Sequence, residues 1–105
     1  MNQGWSELGR FAEPGLLILV SLADGDKHGY AMMADIEQTC GVRVGPGTLY
    51  GALARLEMRG WIVSLPAEDR RRPYRLTGAG SAILREQLAG MKRLAAAGLE
   101  RLATL

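Results

Sequence analysis

The chain of 105 residues is poor in cysteine, histidine and phenylalanine, with one of each. A single thiol, Cys40, excludes an intrachain disulfide and suits a reducing, cytoplasmic setting. A single histidine, His28, has no cysteine or second histidine at ligand spacing. It therefore reads as a hydrogen-bonding group at a helix start, and no metal is expected. Long apolar runs are missing too. The longest, Leu16 to Val20, is far too short to span a bilayer, so no membrane partner is expected. No basic flank followed by an apolar stretch opens the sequence, so a signal peptide is not expected. Neither charge sign dominates: 13 Lys and Arg against 11 Asp and Glu leave a net charge of +2. Any acidic partner must be argued from where the cations sit. Paired carboxylates and a nucleophile–histidine arrangement are absent. "GPGTLYG" is glycine-rich, but it lacks the lysine of a phosphate loop and follows no convincing strand. These absences argue against an enzyme, and no cofactor is expected.

What is present is helical periodicity. Hydrophobic residues make up 48% of the chain, enough for the modest core of one domain. Residues 3–11 read as a short leading helix with Trp5, Leu8 and Phe11 roughly on one side. Glu13 and Pro14 suit the start of a second stretch, because proline is tolerated in a first turn. "PGLLILVSLA" is then apolar almost all round and reads as a buried helix. "DGDKHG" breaks it. The next helix runs from about His28 to Thr39. Met32, Met33, Ile36 and Cys40 share one of its faces, which makes Cys40 a buried, inert thiol. Gly41 ends that helix as a C-cap would.

"PGTLYGALARLEMRGWI", Pro46 to Ile62, carries a third helix whose core face is Leu49, Ala52, Leu53 and Leu56. At about 100° per residue the opposite side holds Thr48, Gly51, Arg55 and Met58. Gly51 costs about 0.8–1 kcal/mol relative to alanine in a helix interior, so something must favour its small size. After Gly60, "WIVSL" and "YRLT" read as the two strands of a hairpin over residues 61–76, with Arg70, Arg71 and Arg72 at its tip. Thr77 caps a long final helix. Leu84, Leu88, Met91, Ala95, Gly98, Leu102 and Leu105 alternate along it by four and three, and Leu99 adds to the same apolar seam. Residues 77–105 would make a helix roughly 40 Å long, whose stripe needs a second copy to cover it. The expected division is therefore one domain over 1–76, including the N-terminal helix, and a C-terminal dimerisation helix over 77–105.

Three helices followed by a hairpin with a basic tip describe a mainly α winged helix-turn-helix with a small β-hairpin. In that arrangement the third helix lies in the major groove of double-stranded DNA. Gly51 would let the helix approach the DNA closely. Thr48, Tyr50 and Tyr30 carry hydroxyls suited to phosphate oxygens, and Arg55 reaches a phosphate or a guanine edge. The tip arginines meet the backbone or the minor groove. The alternative is a winged-helix module that binds protein and never touches DNA.

"HGY" at 28–30, "GPGTLYGALARLEMRGWI" at 45–62 and "DRRRPYRLTGAG" at 69–80 resemble the PadR family of transcriptional regulators. The resemblance runs from about Phe11 to Ala82. It implies that Pro46, Gly47, Thr48, Leu49 and Tyr50 open the recognition helix, and that Asp69 to Arg75 form the wing. It also implies a homodimer made by the last helix through Leu84, Leu88, Met91, Ala95, Leu99 and Leu102. Such a dimer would sit on a pseudo-palindromic operator as a repressor and be released by a small aromatic or drug-like effector. Two features depart from the family pattern. Many relatives have proline where this chain has Gly51. Some short members hold flat drugs between tryptophans of the dimerising helix, and this chain has no tryptophan after Trp61.

Overall fold

Proline fixes the first turn of the first helix, whose start needs no backbone N–H. The computed structural model describes residues 14–105, and the expected leading helix over 3–11, with Trp5, lies outside the described residues. The elements run α1 (Pro14–Leu22), β1 (Lys27–His28), α2 (Gly29–Cys40), α3 (Pro46–Met58), β2 (Ile62–Ser64), β3 (Pro73–Leu76) and α4 (Gly78–Ala103). The helix ends carry the expected signals. His28 caps α2, its Nδ1 accepting from the Ala31 N–H at 3.3 Å. Gly41 closes α2 in the left-handed conformation, φ 69°. Pro46 opens α3, and the Thr77 hydroxyl accepts from the Gly80 N–H at 3.0 Å to cap α4.

One core joins these elements. Ile18, Leu19 and Leu22 of α1 meet Met32 and Ile36 of α2, then Leu49, Ala52, Leu53 and Leu56 of α3. Val44, Ile62 and Leu84 complete it. Leu16, Leu17 and Val20 are only half-buried against this core, so α1 is less enclosed than its all-round apolar sequence implies. Buried Ser21 donates its hydroxyl to Asp35 at 2.7 Å and so ties α1 to α2. That bond, with help from Thr39 and Lys27, holds the Asp35 carboxyl below the usual carboxylate range.

Three expectations are corrected. Cys40 is exposed, not buried: it is the last residue of α2, one turn beyond Ile36, where the core stops. The hairpin is the larger part of a three-stranded antiparallel sheet in the order β1-β3-β2. In it Lys27 pairs with Tyr74, and Ile62 with Leu76. β1 lies inside the stretch that reads as a break, because two polar residues show no alternation. Leu84, assigned to the dimer seam, is only 5% exposed and belongs to the domain's own core.

The first turn of α4 sits directly on the end of the α3–β2 connection. The Thr77 N–H donates to the Trp61 carbonyl at 3.1 Å, and its hydroxyl donates to the Gly60 carbonyl at 2.6 Å. A Cβ on Gly80 would overlap the Trp61 carbonyl oxygen and stand 2.9 Å from Leu76 Cδ1. The obstacle is backbone, which cannot swing aside. Gly80→Ala is therefore expected to destabilise the protein by about 1–3 kcal/mol, as overpacking does. Gly78→Ala, with nothing within 4 Å, should be neutral or slightly stabilising. Thermal midpoints of the two variants check this; equal midpoints would remove the steric account.

α4 leaves this anchor and runs on for 26 residues, about 39 Å at 1.5 Å per residue. The described residues accordingly measure 55 × 30 × 21 Å. No helix among them is long and apolar enough to cross a membrane. Helix, helix, helix and two-stranded wing, with β1 lining the wing, make this a winged helix-turn-helix with a long C-terminal helix.

Candidate nucleic-acid interface

The outer face of α3 is low and open. Leu49, Ala52, Leu53 and Leu56 are buried, so the residues opposite them face outward. Pro46, Gly47, Thr48 and Arg55 are exposed, and Met58 is 88% exposed. A Cβ on Gly47 would meet nothing within 4 Å. At Gly51 it would meet only Arg55 Nη1, at 3.6 Å, an ordinary contact. No packing among the described residues therefore requires glycine at 51. The small residue leaves a shallow surface rather than filling a tight one.

Tyr50 stands at one flank of α3 and does two things. Its ring end packs against the start of α2: a Cβ on Gly29 would collide with the Tyr50 hydroxyl and lie 2.8 Å from Cζ. Gly29 in "HGY" is thus the residue that admits Tyr50, a contact that the residue pattern alone does not reveal. The only signal is a glycine at a helix start, beside a histidine that already supplies the cap. Tyr50 nevertheless remains 48% exposed, and neighbouring Tyr30 is 73% exposed.

These tyrosines border a cleft of about 490 Å³ between the start of α2, α3 and the wing, whose far side is formed by Asp69 to Arg72 and Tyr74. Burial, then the charge of Glu57 and the neighbouring Tyr50, push the Tyr74 phenol above its ordinary range. The wing is clamped to the loop between α1 and β1. Arg75 Nε and Nη2 donate to the two carboxylate oxygens of Asp26 at 3.1 and 2.8 Å. This bidentate pairing holds the Asp26 carboxyl below its usual range.

The wing tip is a two-residue turn. Glu68 and Arg71 exchange backbone hydrogen bonds of 2.7 and 2.8 Å. Asp69 and Arg70 between them have positive φ, 50° and 66°. The three arginines expected to act together are therefore placed differently. Arg72 reaches back, its Nη1 donating to the Leu65 carbonyl at 3.2 Å, while Arg71 stands across from Glu68 and Arg70 occupies the apex.

On the other flank of α3, Arg55 and Arg59 border a second cavity of about 480 Å³, closed by the start of α1, Trp61 and the α4 residues Ile83, Gln87 and Met91. Arg59 lies over the Trp61 ring, 5.1 Å from its centroid. Beyond Leu84, α4 leaves its apolar groups in solvent: Leu88 is 42% exposed, Met91 46%, Leu94 75%, Leu99 69% and Leu102 64%. Ala95 is exposed with them.

Known proteins share this arrangement. The family model described as "Transcriptional regulator PadR-like family" matches residues 18–86. A transcriptional regulator of Mycobacterium tuberculosis is 42% identical over 86 residues, covering 76% of this chain and 77% of that protein. An uncharacterised 37.1 kDa protein of a Streptomyces fradiae transposon is 51% identical over 79 residues. That match covers 75% of this chain, which spans only 23% of the Streptomyces protein's length. Among solved structures, a transcriptional regulator from Clostridium thermocellum superposes with a TM-score of 0.76 at 29% identity, covering 88% of this chain and 91% of its own.

Proposed function

Because the chain belongs to the PadR-like family of transcriptional regulators, we propose that it works as a homodimer on double-stranded DNA, with α3 in the major groove and the wing beside it. The observation that carries this reading is the outer face of α3: Gly47 and Gly51 leave it shallow with no packing reason among the described residues, and Tyr30, Tyr50 and the wing arginines border the cleft along its flank. Thr48, Tyr50 and Tyr30 offer hydroxyls to phosphates; Arg55 lies at the opposite flank, where a phosphate or a guanine edge is in reach. Pro46 and Gly47 bring the start of the helix to the groove without bulk.

A two-fold dimer calls for two half-sites in a pseudo-palindromic operator. Bound over a promoter, the dimer acts as a repressor by occupying the site. A small aromatic or drug-like effector has a place to act in the cavity shared by α3 and α4. A molecule seated there touches Arg55 and Arg59 of α3 together with Gln87 and Met91 of α4. It therefore bears on recognition and dimer geometry at once.

The test is titration of a labelled duplex from upstream of the chain's own gene, against a scrambled duplex, at several salt concentrations. Taking one cation away from a phosphate reduces the slope of log K against log salt by about 0.9. Replacing Arg70, Arg71 and Arg72 together with alanine should flatten the slope by at least one such step per wing. An unchanged slope would take the wing out of the interface. Equal, weak binding of both duplexes by the wild type would instead favour the protein-binding alternative.

A further inference from the structure

We propose that Ala54 and Met58 select thymine, their apolar groups covering C5-methyl groups on the base edges beneath α3. This rests on the DNA-binding reading above. The first ground is what the centre of the outer face lacks. At about 100° per residue, Gly47, Gly51, Ala54 and Met58 fall within roughly 30° of the line opposite the buried Leu49, Ala52, Leu53 and Leu56. Thr48, Tyr50 and Arg55 stand well to the sides of that line. Its centre therefore carries no hydrogen-bonding side chain. What it carries is the exposed Ala54 methyl and Met58, which is 88% exposed. Outside residues 78–105, no other large apolar side chain among the described residues is as open as Met58. It belongs neither to the core nor to the apolar groups packed against it.

The second ground is the chemistry such a face can accept. In the major groove guanine presents N7 and O6, adenine N7 and an amino group, and cytosine an amino group; thymine alone adds a methyl. Carbon pressed on a polar edge strips its water and returns no partner, which is unfavourable. Carbon pressed on a methyl removes apolar surface from water, which is favourable. The centre of α3 thus penalises three bases and rewards one. Gly51 lets the helix come close enough for the short Ala54 side chain to touch. Met58, four residues on, lies on the same face, and long helical side chains lean toward the N-terminus, over the turn that holds Ala54. Its unbranched thioether adapts to the position of the methyl it meets.

The experiment uses the full chain and a duplex from the gene's own upstream region, with the half-sites located by hydroxyl-radical footprinting. In a second duplex every thymine of the half-sites is replaced by uracil. That deletes the methyl and keeps every hydrogen-bonding group. The wild type is expected to bind the uracil duplex about fourfold more weakly for each methyl covered, so roughly fifteenfold when each half-site loses one. Met58→Gln and Ala54→Ser place polar groups at exposed positions and should fold like the wild type. The variant carrying both should bind natural and uracil duplexes alike, about as weakly as the wild type binds uracil. Arg55→Ala should weaken both duplexes and keep their ratio. Equal binding of the two duplexes by the wild type, half-sites without thymine, or a ratio that survives in the double variant would overturn the proposal while leaving DNA binding intact. A wild type that binds its own upstream duplex no better than a scrambled one would overturn the DNA-binding reading, and this proposal with it.

Discussion

Cutting the chain after Gly90 is expected to leave a folded monomer with most of its affinity for DNA gone. Leu84 is the last residue of α4 in the domain's core, so the cut spares the core and removes the exposed stripe from Met91 onward. Each large apolar side chain contributes about 1.5–3 kcal/mol when fully buried. Leu88, Met91, Leu94, Leu99 and Leu102, doubled across a two-fold axis, are enough to offset an association cost of about 4–15 kcal/mol. A monomer holds one half-site and forfeits the gain from linked binding, about 10²–10⁴-fold. Sedimentation equilibrium and duplex titration on the same preparation check both parts. A cut after Gly80 should behave differently. It removes Leu84 from the core, a loss of about 2–5 kcal/mol for such a side chain, and should unfold the chain rather than split it. If the chain ending at Gly90 remains a dimer, the seam on α4 is not what holds the copies together.

The seam also shows how far the amino-acid sequence can be read. Spacing by threes and fours places Leu84, Leu88, Met91 and Leu102 on one side of a helix. Spacing does not say which of them the chain's own domain covers. Leu84 goes to the core because the Gly80 contact with Trp61 brings the start of α4 against the end of the α3–β2 connection, a long-range fact with no local signature. The face of α3 is fully legible, since Leu49, Ala52, Leu53 and Leu56 repeat at the helical period within one element. So are the caps at Gly41 and Thr77, where one residue type meets one local requirement. β1 is not legible: Lys27 pairs with Tyr74 across nearly half the chain, and two polar residues carry no period. Cys40 escapes for a related reason. Its face on the helix follows from the spacing, but periodicity does not say where a core ends along the axis.

The candidate site divides the same way. Exposed Thr48, Arg55 and the wing arginines can be named from pattern alone. Their separate surroundings cannot, because Arg72 finds Leu65 only once the hairpin is closed. The dual position of Tyr50, packed on Gly29 yet half open to the cleft, depends on how α2 crosses α3.

The central claim is that the outer face of α3 lies against DNA, and Gly51→Leu tests it most directly. Among the described residues a Cβ at 51 meets only Arg55 Nη1, at ordinary contact distance, and the position lies on the outer face of α3, so the variant should fold. Removing glycine from a helix interior should even add about 0.5–1 kcal/mol of stability. The same leucine would stand between the helix and the groove. Thermal unfolding and operator titration of wild type and Gly51→Leu, measured side by side, separate the two effects. The account predicts an unchanged or raised midpoint together with a loss of operator affinity on the order of a hundredfold. A lowered midpoint with binding that merely tracks the folded fraction, or full affinity in a stable variant, would contradict it.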